Sequence, residues 1–66
     1  MNEVQTFLTL IKEKRLANNM TLQDVATIVD YSKTQIWDLE QQHSMPSLKV
    51  ALKLARLFAI DLNHLT

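Results

Sequence analysis

The feature that most constrains this chain is where its helix-start signals fall. Asn2 with Gln5, Thr21 with Asp24, and Ser32 with Gln35 each set a capping side chain three residues before a Gln or an acid. In such a capping box the first side chain accepts from the third helical amide. The second reaches back to the amide of the cap, so two donors that helix geometry orphans are satisfied together. Asp24 is a weaker partner than Glu would be. Ser47, directly after Pro46, can cap a fourth helix, and Asp61 a fifth, short one. Asn18-Asn19 ends the first helix, because Asn tolerates the left-handed backbone that closes a helix. Pro46 closes the loop after the third.

Between these signals the apolar residues recur at helical spacing. Val4, Phe7, Leu8 and Ile11 form a stripe on the first helix; Val25, Ile28 and Val29 lie on the second and Ile36 and Leu39 on the third. Leu48, Leu52, Ala55 and Phe58 are the stripe expected on the fourth. With 47% apolar residues but only one Trp, one Tyr and two Phe, the core must be aliphatic. Sixty-six residues make one domain, spanning 1–66, and a chain this short buries only about 60% of the surface it exposes when unfolded. The absence of glycine and the single proline argue against β-hairpins, whose turns need positive φ. The fold class is therefore all-α, a compact bundle of four to five helices.

Several function classes drop out at this stage. With no cysteine and two distant histidines, His43 and His64, there is neither a disulfide framework nor a metal site. No nucleophile–base pair or glycine-rich phosphate loop is present, so neither an enzyme nor a cofactor is expected. No apolar run approaches the roughly 18 residues of a membrane span, and no signal sequence opens the chain, so the protein reads as cytoplasmic.

The gap from Thr21 to Ser32 carries the functional information. A helix of about two turns, a turn at Asp30-Tyr31 and the start of a further helix fill it with nothing left over. Helices so closely joined must cross steeply, which demands a small residue, and Ala26 stands where one is needed. Ile36 and Leu39 then face Val25 and Val29. The product is a helix-turn-helix, whose second helix protrudes and can enter a major groove about 12 Å wide.

Read as a whole, the run from Met20 to Leu65, MTLQDVATIVDYSKTQIWDLEQQHSMPSLKVALKLARLFAIDLNHL, resembles the lambda repressor/Cro-like (XRE) helix-turn-helix family. The resemblance rests on "VA" in the second helix, S-x-x-x-I-x-x-L-E in the third, "PSL" opening the fourth and "LKLAR" within it. It implies a transcriptional regulator, a repressor by preference, bound as a homodimer to a palindromic operator in double-stranded DNA. Its half-sites would lie about one helical turn, roughly 34 Å, apart. The resemblance also implies an ion pair between Arg15 and Glu40, leaving some guanidinium surface for a phosphate; the plain alternative is that both are solvated.

The positions that match the family's base readers are Lys33, Thr34, Trp37 and Asp38, on the side of the third helix away from Ile36 and Leu39. Lys33 can donate to guanine O6 or N7, and Thr34 can offer its hydroxyl to a base or its methyl to thymine. Asp38 can accept from cytosine N4, and Trp37 can pack on thymine methyls or the sugar backbone. For Lys33 and Thr34 the alternative is an ordinary solvated helix face; for Trp37 and Asp38 it is that or a role other than DNA binding. Phosphates would be held around Thr21, Leu22 and Gln23, where a helix N-terminus presents amides, and by Ser32, Gln35, Gln42, His43, Ser44 and Lys49.

The chain also departs from the family pattern. Leu22 stands at a common phosphate-contacting Gln, and Asp30 and Gln42 replace frequent turn glycines. Leu10, Leu22, Ile28 and Trp37 are apolar where the family is usually polar. Seven basic residues balance seven acidic ones, so counterion release adds little affinity and a monomer should bind weakly. A second subunit would double the contacts; Ile60, Leu62 and Leu65 are candidates for its seam, although closing the core is the plainer role. The rival reading is a helix-turn-helix used as a protein-binding module, an antirepressor or antitoxin-type partner.

Overall fold

A computed structural model describes residues 2–61. Four helices follow in order: α1 (Glu3–Ala17), α2 (Leu22–Val29), α3 (Lys33–Glu40) and α4 (Leu48–Leu57). The fifth helix expected after Asp61, together with Leu62 and Leu65, lies outside the described residues.

Local chemistry sets every start. Asn2 accepts from the Gln5 amide at 2.8 Å while Gln5 accepts from the Asn2 amide at 3.1 Å. Thr21 and Asp24 repeat the exchange at 3.0 and 2.9 Å, so the short acid completes a full box. Ser32 and Gln35 do so at 3.1 and 2.8 Å, and Ser47 caps α4 by accepting from Val50 at 3.3 Å.

Each helix stops the same way. Asn19, Asp30, Gln42 and Ala59 take φ of 55°, 61°, 62° and 54°, the left-handed region that glycine fills most easily. The amide after each reaches back five residues: Met20 to the Arg15 carbonyl, Tyr31 to Ala26, His43 to Asp38 and Ile60 to Ala55, at 2.8–3.0 Å. This is the longer bond of the Schellman closure, made here at four helix ends without glycine; Asn19, Gln42 and Ala59 add the shorter bond from their own amides, whereas Asp30 donates to the same Ala26 carbonyl as Tyr31. Each carries the Cβ penalty that a left-handed non-glycine residue bears. The residue after the left-handed one commonly seals the helix end with an apolar contact; Met20, Tyr31 and Ile60 do so, half-buried against the core.

Phe7, Leu8 and Ile11 of α1, Val25, Ala26 and Val29 of α2, Ile36 and Leu39 of α3, Val50, Leu54 and Ala55 of α4, and Phe58 make up that core. Ala26 is wholly buried, and α2 packs most extensively on α3. Val4 is only half-buried and Ile28 is exposed, so the stripes of α1 and α2 are narrower than the spacing suggested.

For α4 the expected stripe is corrected. Leu48 is 74% exposed and Leu52 38%, and the inward face belongs instead to Val50 and Leu54, with Ala55 and Phe58. Nearly every uncharged position of α4 is apolar, so periodicity alone admits two registers. The charges break the tie: Lys49, Lys53 and Arg56 share one face, and at 100° per residue the opposite face runs through Leu54 and Phe58. Leu48 and Leu52 lie beside the charges.

Candidate nucleic-acid interface

Because Ile36 and Leu39 are held in the core, the opposite face of α3 must point outward. Lys33, Thr34 and Trp37 are exposed there and Asp38 is half-buried. Lys33, Thr34 and Trp37 line one shallow groove of about 370 Å³, and Leu22 of α2 forms its other wall. The groove therefore joins the N-terminus of α2 to the outer face of α3. Leu22 can add no polar side chain to it and contributes only its amide. Gln41 continues the same face, four residues beyond Trp37 and seven beyond Thr34, and is exposed. Sequence reasoning passed over it because it sits just past the last turn; the i+4, i+7 spacing was the available signal.

Donors converge on the two helix starts. In α2 the capping box uses the amides of Thr21 and Asp24, which leaves those of Leu22 and Gln23 without an acceptor among the described residues. In α3 the amides of Lys33 and Thr34 are open in the same way. The Thr21 and Ser32 hydroxyls accept from within their helices, so each still has its own proton to donate outward. Gln35 likewise uses its amide oxygen in the box and retains its NH₂. Two pairs of open amides, each at the positive end of a helix, are suited to phosphate oxygens.

The other phosphate candidates are placed differently. Gln42 turns back to α1, its Nε2 donating to Thr9 Oγ1 at 3.3 Å. With Ser44 it borders a second depression of about 170 Å³ on the α1 side, shared with Val4, Leu8 and Met45. Gln23 donates to Thr27 at 3.2 Å. His43 packs edge-on against Trp37, with ring centroids 5.5 Å apart and planes at 76°. Lys49, in the first turn of α4, is exposed. The Asp38 carboxylate has no bonded partner among the described residues.

Beneath this face, Arg15 ties three elements together. Its Nε donates to Glu40 Oε2 at 2.6 Å and its Nη2 to Oε1 at 2.9 Å, the planar two-point match that guanidinium makes with carboxylate. Nη1 donates to the Met20 carbonyl at 2.9 Å, on the turn into α2. The side chains are 11% and 3% exposed. The pair is thus buried rather than solvated, and little guanidinium surface remains for the phosphate contact expected of it. Glu40 also ends α3, where a lone carboxylate would oppose the helix dipole; Arg15 offsets that. The outer face of α3 is accordingly fixed to α1 and to the start of α2.

The described elements, with α2 and α3 joined by a tight turn and α3 presenting a polar face beside open amides, define a helix-turn-helix domain. A helix-turn-helix family model matches residues 11–65. The chain belongs to this family, that of the lambda repressor-like (XRE) helix-turn-helix domains. No curated protein and no solved structure matches the chain significantly. Family and fold together support a DNA-binding helix-turn-helix regulator, in a family that is not typically enzymatic. Among the described residues no helix is long and apolar enough to cross a membrane.

Proposed function

We propose that residues 1–66 form one domain that acts as a sequence-specific repressor, binding a palindromic operator as a homodimer in the cytoplasm, with α3 in the major groove. The groove formed by Leu22, Lys33, Thr34 and Trp37 carries this reading, because it sets base-reading side chains directly beside open amides suited to the phosphate backbone. Lys33 and Thr34, in the first turn of α3, read base edges; Trp37 supplies an apolar edge for a thymine methyl, and Asp38 accepts from a cytosine amine. The amides of Leu22 and Gln23 and the hydroxyls of Thr21 and Ser32 hold phosphates, helped by Gln35, Ser44 and Lys49, while the His43 ring is engaged with Trp37. Gln42 is the least suited of the phosphate candidates, since it is bonded to α1.

The dimer follows from affinity. A chain with net charge zero gains little from counterion release, so one subunit holds an operator weakly and two hold it jointly. Ile60 packs against the core of its own subunit, which leaves Leu62 and Leu65, outside the described residues, as the remaining seam candidates. A second reading, a protein-binding module, is favoured by the exposure of Ile28 (54%) and Trp37 (43%) on a neutral surface. Selection from random duplexes at low salt, with the mass in solution measured in parallel, separates the two. A two-fold symmetric consensus and a dimeric complex support the repressor; failure to enrich any sequence favours the module.

A further inference from the structure

Three of the four helix closures half-bury a residue against the core after the left-handed position, but the closure of α3 places His43 there, on the surface. Its amide donates to the Asp38 carbonyl at 2.9 Å, and its ring meets Trp37 edge-on at 5.5 Å. We propose that His43 is a positioning residue for the reading face, holding the Trp37 indole in one orientation and so setting the preference at the base pair which that indole meets. The inference rests on α3 being the DNA-reading helix, and it gives His43 a different task from holding a phosphate.

The geometry supports this in two ways. First, Trp37 is on the outer face of α3 and 43% exposed, outside the core that would lock its ring, and His43 is the aromatic neighbour packed against it. An indole free to turn presents a changing edge, and a changing edge discriminates poorly between a thymine methyl and a bare ring position. Second, the position of His43 is itself determined by the fold. The closure fixes its backbone against α3, and the preceding Gln42 is bonded to Thr9 of α1 at 3.3 Å. A line of contacts thus runs from Thr9 through Gln42 and His43 to Trp37, and the imidazole is the end of a braced turn.

Trp37 is the only tryptophan in the chain, so in the free protein its near-UV circular dichroism and fluorescence anisotropy report how firmly this one indole is held. In the full chain, His43→Ala is expected to weaken the tryptophan dichroic bands and lower the anisotropy while the far-UV spectrum is unchanged; His43→Phe, which keeps an aromatic edge, preserves both. Against the selected duplex and its single-base variants, His43→Ala is expected to lose about three- to tenfold of discrimination at one base pair per half-site, with an unchanged salt slope. His43→Phe keeps that discrimination. Unmoved Trp37 spectra in His43→Ala overturn the proposal. So does a uniform loss of affinity across duplexes with a shallower salt slope, the signature of a phosphate ligand. A protein that selects no duplex overturns the DNA reading itself, whereas a selective protein whose His43→Ala variant keeps every preference overturns the positioning role alone.

Discussion

The Arg15–Glu40 pair gives the firmest quantitative test of how the reading face is held. Glu40 is 3% and Arg15 11% exposed at the side chain, and the guanidinium makes three hydrogen bonds, two to the carboxylate and one to the Met20 carbonyl. Arg15→Met removes all three and leaves a carboxylate in the interior at the C-terminal end of a helix. Breaking a buried pair from one side costs about 3–5 kcal/mol. At roughly 0.05–0.15 kcal/mol per residue a chain of this length has about 3–10 kcal/mol in all, so the variant should lose a large share of its stability. Since 1 kcal/mol moves the midpoint of a small domain by about 4–8 °C, Tm should fall by at least about 12 °C. Glu40→Leu leaves a long cationic side chain that can swing to water, and should cost less, about 1–3 kcal/mol. Joining the two changes as Arg15→Met/Glu40→Leu removes both charges, and stability should return to within about 1 kcal/mol of the parent. Urea unfolding followed by far-UV circular dichroism and by Trp37 fluorescence supplies the four stabilities of the cycle. A coupling above about 2 kcal/mol is expected. Single variants that each cost under about 1 kcal/mol and simply add, as exposed pairs do, would refute the reasoning.

Other expectations can be checked on the same protein. Ala59→Gly should stabilise by about 0.5–1 kcal/mol in thermal melts, because relief of the left-handed Cβ strain outweighs the added freedom of the unfolded chain. Asp30→Gly should gain less, since Asp tolerates that conformation better. On α4, Leu54→Ala should cost about 2–5 kcal/mol and Leu48→Gln within about 0.5 kcal/mol; a larger loss at Leu48 than at Leu54 would reverse the register of that helix. Lys33→Ala should relax the preference at one base pair, as a base-edge contact requires; a uniform loss across duplexes with the salt slope reduced by about one would assign it to a phosphate instead.

The parts of the fold that were legible in the sequence are those set by neighbours in the chain. Asn2, Thr21, Ser32 and Ser47 cap the helices whose starts they mark, because a capping side chain and its amide lie three residues apart and need no tertiary partner. The left-handed end at Asn19 is marked by its own side chain and those at Asp30 and Gln42 only by the glycines the family has there, whereas Ala59 has no side-chain chemistry that marks such a turn. On α4 the stripe was misread because Leu48 and Leu52 have the same spacing as Val50 and Leu54; only the charged face opposite distinguishes them.

Contacts between distant segments were largely beyond local reading. Nothing near Gln42 indicates that it bonds to Thr9, since the chain brings them together only once α1 and the end of α3 are packed. Arg15 and Glu40 were paired by the resemblance, not by any local signal, and their depth of burial could not be read from either residue. The outer face of α3 was legible because Ile36 and Leu39 set its phase, yet the groove it shares with Leu22 emerges only when α2 and α3 are assembled.

The most direct test of the central claim is a titration of the selected duplex with the parent protein and with Lys33→Ala/Thr34→Ala, at one fixed low salt concentration. Both substitutions lie on exposed positions, so the far-UV spectrum and melting midpoint should match the parent. Each lost base contact is worth about 1–3 kcal/mol, so affinity for the selected duplex should fall by at least about 30-fold, towards the value for an unrelated sequence. A folded double variant that binds the selected duplex as tightly as the parent does would show that α3 is not what reads the DNA.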